Sequence, residues 1–262
     1  MRWHCHERFH GMPQGSVAGG IAVVIDVLRA STTIITALAN GAARVRPVAD
    51  VAEARRLAAA LGPDTLLGGE RGGVRIDGFE LGNSPAEYAR DRVAGRSIVI
   101  TTTNGTAALA ACLAAREILV GALVNRSAVA AAVRRLAGAG DGGDVHLVCA
   151  GTDGEVSGDD VLTAGAILDA AAADPAGVGD GFDSPARAAL ESFRTLCARG
   201  GSVEGMIEEV FRHSPGGVNL VALGMVADLA AAAAIDSLTL VPRLDHATGW
   251  LHAFPARKPA PA

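Results

Sequence analysis

Short runs of apolar, mostly β-branched residues alternate along the chain with longer Ala- and Leu-rich stretches that have a helical period. Continuous apolar runs are typical of strands buried on both faces of a sheet, and the stretches between them are typical of crossover helices. Strands are predicted at 20–26, 43–48, 64–69, 97–102, 117–122, 144–149 and 236–241. Helices are predicted at 32–41, 50–61, 84–93, 105–115, 127–137, 159–173, 185–199, 203–212 and 217–234.

This order of elements predicts the fold class. Alternating strands and helices are typical of α/β proteins, so we expect a three-layer α/β/α domain with a largely parallel, mixed sheet. The chain has 262 residues, 50% of them apolar, and neither a composition shift nor an internal repeat divides it. We therefore assign residues 1–242 to a single domain and 243–262 to an extended, partly disordered tail. The high apolar content is compatible with a homodimer.

The charged residues exclude several classes of protein. Lys and Arg number 23 against 28 Asp and Glu, so a net charge of -5 gives no general attraction to nucleic acid or to an anionic membrane. The only lysine is Lys258, close to the C-terminus, which excludes a P-loop nucleotide triphosphatase and a Schiff-base enzyme. We expect a small anionic ligand that local charges bind, and neither nucleic acid nor membrane as a partner.

The cysteines and apolar segments indicate the compartment. The four cysteines are scattered without a CxxC pair, and no secretory signal is present, so we expect a cytoplasmic protein without disulfides. The apolar stretch at 21–25 is far too short to span a membrane. His4, Cys5, His6 and His10 cluster in what we expect to be a loose N-terminal segment, and we predict no zinc or copper site there. We expect Cys149 to be a buried apolar thiol rather than a nucleophile.

Polar motifs follow four of the predicted strands, at the edge of the sheet where α/β proteins bind ligands. The first motif is VIDVLRASTTI, residues 24–34, in which Asp26 ends a strand and a helix begins near Ser31. Asp26 is a candidate cation ligand, and Arg29, Ser31 and Thr32 are candidate phosphate ligands at the helix N-terminus. A capping serine beside a solvated arginine is the structural alternative.

The second motif is LLGGERGGVRIDGFELGNSP, residues 66–85, in which paired glycines flank Glu70 and Arg71. Glycines allow the backbone to approach a ligand closely, and a Glu beside an Arg suits joint binding of a metal and an anion. The alternative is a glycine-rich loop with a solvated ion pair.

The third motif is SIVITTTNGTAAL, residues 97–109. Hydroxyl, amide and backbone N–H groups of Thr103, Asn104, Gly105 and Thr106 at a helix start form a candidate oxyanion cradle. Thr and Asn also cap helices for purely structural reasons, and both interpretations stay open.

The fourth motif is VHLVCAGTDGEVSGDDVLTAG, residues 145–165, where a glycine loop leads to Asp159 and Asp160 at a helix start. The helix dipole alone favours carboxylates there, so capping competes with metal binding. The occurrence of four such strand ends in one chain favours a functional site.

These motifs, in this order, resemble the 2-phosphosulfolactate phosphatase family. The recurring signatures DVLRASTT, GGERxGxxIxGFxLGNSP, TTTNGT and CAGTxG followed by an acidic pair all occur here, and the resemblance spans roughly residues 20 to 242. A weaker late pattern includes Ser214 and Asp228. The chain departs from the family at Gly158, at Asp159 in place of Glu, and at Gly216 and Val218 in place of a frequent His and Arg, which affects the expected substrate preference.

The resemblance implies a Mg²⁺-dependent acid phosphatase of coenzyme M biosynthesis, which hydrolyses (2R)-O-phospho-3-sulfolactate to 3-sulfolactate and phosphate. We predict an all-oxygen Mg²⁺ site. Its predicted ligands are Asp26, Glu70, Asp159 and Asp160. The predicted catalytic residues are Asp26, Arg29, Glu70 and Asp160. The predicted substrate-binding residues are Arg29, Ser31, Thr32, Arg71, Thr103, Asn104, Gly105 and Thr106, with Arg71 or Arg126 for the sulfonate or carboxylate.

Two questions stay open in the sequence. The nucleophile is either a metal-bound water or an Asp carboxylate such as Asp26, and we favour water because Leu28 stands where a haloacid-dehalogenase phosphatase has its proton donor. The substrate is phosphosulfolactate or another phosphorylated 2-hydroxy acid, and a non-catalytic anion-binding protein is the third alternative. A dinucleotide-dependent oxidoreductase is disfavoured, since no GxGxxG follows the first strand.

Overall fold

The computed structural model describes residues 1–138, 143–173 and 181–254. Within these ranges ten strands form one sheet in the order β1-β8-β2-β7-β9-β10-β3-β6-β4-β5, which confirms the predicted α/β class with a largely parallel, mixed sheet. The strands are β1 (Trp3–His6), β2 (Ile21–Ile25), β3 (Arg44–Pro47), β4 (Thr65–Arg71), β5 (Val74–Arg75), β6 (Ser97–Thr101), β7 (Glu117–Val120), β8 (Val145–Cys149), β9 (Val241–Leu244) and β10 (Leu251–Phe254).

Helices cover the sheet. They are α1 (Ala30–Ala39), α2 (Val51–Leu61), α3 (Arg90–Val93), α4 (Gly105–Ala111), α5 (Arg126–Gly138), α6 (Gly158–Ala172), α7 (Ser184–Cys197), α8 (Val203–His213), α9 (Pro215–Ala222) and α10 (Ala227–Ala233), with 3₁₀ turns at Pro85–Tyr88 and Leu123–Asn125. Each face of the sheet has its own core. In β2, Val24 packs in one cluster with Ile34 of α1, whereas Val23 packs in another with Ile167 of α6. The continuous apolar run of β2 thus serves two hydrophobic layers.

The sheet is strongly curved, and the curvature creates the site. Four strands separate β2 from β6 in the sheet order, so a flat sheet would hold these two strands about 24 Å apart. Gly105, which follows β6, nevertheless lies so close to Asp26 after β2 that an added Cβ would be 2.5 Å from Asp26 Oδ2. Helix α1 fills the concave face and packs against β3, β7, β9 and β10. The carboxyl ends of distant parallel strands therefore converge.

The last predicted strand and the predicted tail were wrong in part. Residues 236–240 are not a strand, because the Asp236 and Leu238 N–H groups bond to the carbonyls of Leu123 and Val124 in a 3₁₀ turn. The strand begins at Val241 instead. Residues 243–254, expected as a tail, complete β9 and form β10, which pairs with β9 and β3 inside the sheet. Residues 255–262 lie outside the described residues.

Two predicted helices are each divided. The predicted helix at 217–234 consists of α9 and α10, separated at Gly224, whose φ of +74° ends α9 in the left-handed region. The predicted helix at 84–93 is a 3₁₀ turn at Pro85–Tyr88 followed by the single turn of α3. Among the described residues, no helix is long and apolar enough to cross a membrane.

The N-terminal histidines are ordered, contrary to the expectation of a loose segment. β1 pairs in parallel with β8, which places His4 beside His146. The His4 ring bonds to Asp183 at 3.1 Å and to Asp144 at 3.2 Å, and His6 Nε2 lies 3.1 Å from His146 Nδ1. Aspartates and ring stacking thus satisfy this cluster. Cys149 is fully buried, as expected, and both a hydrogen bond with Cys5 and burial raise its pKa.

The histidine cluster predicts a pH-dependent stability. Burial, together with the neighbouring His6 and His4, lowers the pKa of His146 to about 4, whereas a histidine in the unfolded chain titrates near 6.5. Between these values the unfolded state binds a proton that the folded state excludes, so the free energy of unfolding falls as the pH is lowered. We predict that His146→Gln loses up to about 2 kcal/mol less stability than the wild type between pH 7 and pH 5, measured by urea unfolding. Equal losses would contradict this origin.

Candidate active site

Four polar strand ends contribute to one pocket of about 310 Å³. Of the predicted site residues, Asp26, Arg29, Glu70, Thr103 and Asn104 line it. The other lining residues are Leu28, Gly72, Gly73, Asn83, Thr152, Asp153, Pro215, Gly216, Asn219 and Leu220. The structure thus brings together residues from motifs that lie up to about half the chain apart in sequence.

Asp26 lines the pocket and lies between the end of β2 and the first turn of α1. Its Oδ1 accepts the N–H of Ala30 at 3.3 Å, and Gly105 gives α4 the room to approach its Oδ2. Burial raises the pKa of Asp26 to about 7, and the charges of Glu70 and Asp159 act in the same direction, while the Ala30 N–H and Arg29 oppose them. Asp26 is therefore a carboxylate with few hydrogen bonds and a strong requirement for positive charge.

Glu70 is held rigidly at the end of β4. Its Oε2 accepts the N–H of Gly73 at 2.6 Å, and its Oε1 accepts both the N–H and the hydroxyl of Thr103, at 2.8 and 3.0 Å. β4 and β6 pack so closely that a Cβ on Gly69, at a φ of +144°, would overlap the Thr101 carbonyl. Thr103, predicted as a phosphate ligand, thus directs its donors at Glu70 and fixes that carboxylate in the pocket.

Arg29 is buried and already paired. Its Nη1 donates to Asp228 at 2.7 Å, its Nη2 donates to the carbonyl of Gly73 at 2.8 Å, and the two side chains of the ion pair are only 3% and 5% exposed. The other oxygen of Asp228 accepts the hydroxyl of Ser84 at 2.6 Å. The Leu28–Arg29 peptide bond is cis. Arg29 therefore connects the first motif, the glycine loop of the second and α10, while it still lines the pocket.

Asp159 and Asp160 lie behind the pocket rather than in its lining. Asp160 accepts the N–H of Val27 at 2.8 Å and the N–H of Gly151 at 3.0 Å, so it joins the loops that follow β2 and β8. Asp159 accepts the hydroxyl of Ser214 at 3.0 Å. Burial raises the pKa of both carboxyl groups. Because their oxygens already accept hydrogen bonds from protein donors, these two carboxylates hold the loops around the pocket in position.

Three hydroxyls predicted to bind phosphate bond to the backbone instead. Ser31 Oγ accepts the N–H of Asp26 at 2.9 Å, and Thr32 donates to the carbonyl of Val27 at 2.8 Å. Thr106 donates to the carbonyl of Thr102 at 3.0 Å. None of these three residues lines the pocket, and neither does Gly105. They shape the turns that carry Asp26 and Asn104.

The two arginines predicted for the second anionic group also lie outside the pocket lining. Arg71 donates to the carbonyl of Ala49 and to the hydroxyl of Thr101, at 3.2 and 2.9 Å. Arg126 pairs with Asp236 at 3.1 Å and with Asp169 at 3.7 Å. Within the lining, Arg29 is thus the one arginine or lysine.

Sequence reasoning missed several residues of the site. Asn83, in the GNSP part of the second motif, lines the pocket. Asp228, in the late pattern, is the ion-pair partner of Arg29. Neither was predicted as a site residue. Gly216 also lines the pocket, and a Cβ there would make only ordinary contacts, 3.5 Å from Asp159 Oδ2 and 3.7 Å from Leu28 Cβ. Val218 points outward and is 56% exposed. The open space at Gly216 is a feature of this chain's pocket.

The oxygen atoms in the pocket are suitable ligands for a hard cation. Asp26, Glu70 and the amide of Asn83 offer only oxygen-type ligands, and Mg²⁺ is usually bound by one or two carboxylates, waters and substrate phosphates. Across the described residues, no three His, Cys, Asp or Glu side chains are placed to share one ion. The four predicted carboxylate ligands therefore do not form a ready-made cage, but Asp26 and Glu70 fit a cation that completes its shell with water and substrate.

Comparison with known proteins identifies the family. The chain matches the family described as 2-phosphosulpholactate phosphatase over residues 8–247. The chain belongs to this family. A probable 2-phosphosulfolactate phosphatase of Symbiobacterium thermophilum is 42% identical over 238 residues, which are 88% of this chain and 93% of the relative. A relative of the same name from Deinococcus radiodurans is 44% identical over 226 residues, 86% of this chain and 87% of the relative.

A third relative of that name, from Thermotoga maritima, is 38% identical over 234 residues, covering 89% of this chain and 93% of the relative. These matches confirm the resemblance predicted from the four motifs. Membership of this phosphatase family is also consistent with a metal cofactor, in agreement with the oxygen donors of Asp26 and Glu70.

The position of Asp160 predicts a structural phenotype for this family member. In Asp160→Asn one amide N–H group would face a backbone N–H of Val27 or Gly151, so we expect the free energy of unfolding to fall by about 2–4 kcal/mol in urea. The matched control is Asp153→Asn in the loop that precedes α6, where the exposed side chain predicts a change within about 0.5 kcal/mol. An Asp160→Asn protein as stable as the control would show that the two N–H bonds do not hold the loops.

Proposed function

We propose that the protein is a Mg²⁺-dependent phosphatase that hydrolyses (2R)-O-phospho-3-sulfolactate to 3-sulfolactate and inorganic phosphate. The observation that carries this proposal is the shared pocket of Asp26, Glu70 and Arg29 in a chain that matches the family along residues 8–247. The relatives' printed names support the substrate. A cytoplasmic location and a homodimer remain predictions.

The charges of the pocket explain why a cation is required. Its lining holds Asp26, Glu70 and Asp153 against Arg29 alone, and Asp228 already neutralises Arg29. The proposed substrate carries a phosphate, a carboxylate and a sulfonate, which these carboxylates would repel. A bound Mg²⁺ would neutralise phosphoryl oxygens and lower the pKa of a bound water. Asp26 and Glu70 would hold it, and Arg29 would face the phosphoryl group.

Asp26 and Glu70 have different roles in this scheme. Glu70 accepts three hydrogen bonds from Gly73 and Thr103, so it is a fixed ligand that cannot rotate without losing them. Asp26 accepts one long bond from Ala30 and has the freedom to orient an attacking water. We favour direct attack by water, because Leu28 lines the pocket where a phosphoaspartyl mechanism would need an acid.

Gly216 supports a second candidate substrate class. The position has room for a side chain beside Asp159 and Leu28, and none is present. An open pocket wall suits the same reaction on another phosphorylated 2-hydroxy acid.

The test is a phosphate-release screen of phosphosulfolactate, phospholactate, phosphoglycolate and phosphoglycerates, with Mg²⁺ and with chelator. We expect the fastest release from phosphosulfolactate, loss with chelator and recovery with Mg²⁺. Glu70→Gln should lower kcat/KM about 100-fold or more, since a ligand of the cation is weakened. Glu80→Gln is the control, because Glu80 accepts a backbone N–H from Leu67 outside the pocket lining.

Full activity of Glu70→Gln would disprove the metal assignment. No release from any of the compounds would favour a non-catalytic anion-binding protein. Faster release from another phosphorylated 2-hydroxy acid would favour the second substrate class.

A further inference from the structure

Asn83 lines the pocket and has a buried side-chain oxygen without a hydrogen-bond partner in the described part of the chain. The residue is 4% exposed and lines the pocket with Asp26 and Glu70, and its Oδ1 is buried without a hydrogen-bond partner among the described residues. Within the lining, no other buried side-chain nitrogen or oxygen lacks a partner. Leaving a buried acceptor unpaired destabilises a fold, and native proteins contain few such atoms. Because Asn83 lines the pocket, a group bound there is a candidate partner for this oxygen.

The surrounding contacts hold Asn83 in place, so the unpaired oxygen does not result from a loose loop. The backbone carbonyl of Asn83 accepts the hydroxyl of Thr33 at 2.7 Å. On one side, the carbonyl of Gly82 accepts the hydroxyl of the buried Tyr88 at 2.7 Å. On the other, the hydroxyl of Ser84 donates to Asp228, the partner of Arg29. Three successive residues are thus held, Gly82 and Asn83 by their backbone carbonyls and Ser84 by its hydroxyl, so the position of the Asn83 backbone is fixed at the pocket wall.

The chemistry of the pocket limits what can complement this oxygen. An amide Oδ1 is an acceptor, so it requires a hydrogen-bond donor or a cation. The proposed substrate offers phosphate, carboxylate and sulfonate oxygens, which are acceptors as well. Water or a divalent cation can complement it, and a pocket with two carboxylates and a neutralised arginine favours the cation, since amide oxygens are ordinary ligands of hard cations.

We propose that Asn83 is the third protein ligand of the divalent cation, with Oδ1 joining the carboxylates of Asp26 and Glu70, and that its Nδ2 donates to an anionic oxygen of the substrate. This role rests on the metal-dependent phosphatase function proposed above. In this arrangement a neutral side chain replaces Asp159 and Asp160 as the further metal ligand, and the oxygens of these two aspartates already accept hydrogen bonds from protein donors. A neutral third ligand avoids adding a further charge beside two carboxylates.

The direct test is a titration of the full-length protein with Mn²⁺, a paramagnetic ion that takes the same oxygen ligands, followed by electron paramagnetic resonance without substrate. We expect Asn83→Ala to bind Mn²⁺ at least about 10-fold more weakly than the wild type. Asn83→Asp keeps an oxygen in place, and its Mn²⁺ affinity should equal or exceed that of the wild type. The same Asn83→Asp protein should show a raised KM for phosphosulfolactate, because it lacks the Nδ2 donor.

The control variant is Asn40→Ala, which removes an amide that donates to the carbonyl of Tyr88 at 2.8 Å and does not line the pocket. It should melt at a lower temperature with an unchanged Mn²⁺ affinity. Metal-free Asn83→Ala, in contrast, should melt no lower than the wild type, since it removes an unpaired buried acceptor. If Asn83 had a purely structural role, Asn83→Ala would melt at a lower temperature than the wild type and would bind Mn²⁺ with unchanged affinity.

Three outcomes would overturn the proposal: wild-type Mn²⁺ affinity in Asn83→Ala, equal weakening in Asn83→Asp and Asn83→Ala, or no Mn²⁺ binding by the wild type at millimolar concentration. If Asn83→Ala fails to fold, weaker binding by Asn83→Asp than by the wild type overturns it as well. Phosphate release by the wild type is measured separately. Intact Mn²⁺ binding that depends on Asn83, without release from any substrate, supports the ligand role and refutes the proposed function.

Discussion

The structure depends on holding several carboxylates close together where they are buried from solvent. Burial raises the pKa of Asp26, Asp159 and Asp160, and each of these groups lies close enough to another carboxylate for repulsion to act. Such a cluster is stable only if donors or positive charges compensate it. The protein supplies backbone N–H groups for Asp160, a hydroxyl for Asp159 and three donors for Glu70. Asp26 is compensated least, and a cation in the pocket would complete the set.

The donors that compensate the carboxylates come from two separate parts of the sheet. The donors to Asp160 come from the loops after β2 and β8, whereas those to Glu70 come from the glycine loop after β4 and from Thr103 after β6. A flat sheet would separate these two pairs of strands by several strand widths. The hairpin of β9 and β10 lies between them in the sheet order, and α1 fills the concave side. The segment expected to be a tail thus joins the two groups of strands into one sheet, through β7 on one side and β3 on the other.

Features that depend on local sequence patterns were predicted, and features that depend on contacts between distant residues were not. Strands such as β2, β6 and β8 were found because they are buried on both faces and read as continuous apolar runs. β1 was missed because His4 and His6 interrupt its pattern, and the partners that satisfy them, His146 and Asp183, are distant in sequence. Asp26 and Glu70 were predicted as site residues because they directly follow strands, and both line the pocket. Whether a hydroxyl or carboxylate faces a ligand or a backbone group depends on tertiary contacts. Local sequence does not reveal these contacts, so the backbone partners of Ser31, Thr32 and Asp160 could not be predicted.

The central claim is that Asp26 and Glu70 bind the divalent cation, supported from behind by Asp159 and Asp160. Anomalous X-ray diffraction from crystals soaked with Mn²⁺ and inorganic phosphate would test it most directly. The account predicts one manganese peak in the pocket, about 2.1 Å from a carboxylate oxygen of each of Asp26 and Glu70, with phosphate on its open side. A manganese ion bound to Asp159 and Asp160, or no peak in the pocket at all, would contradict it.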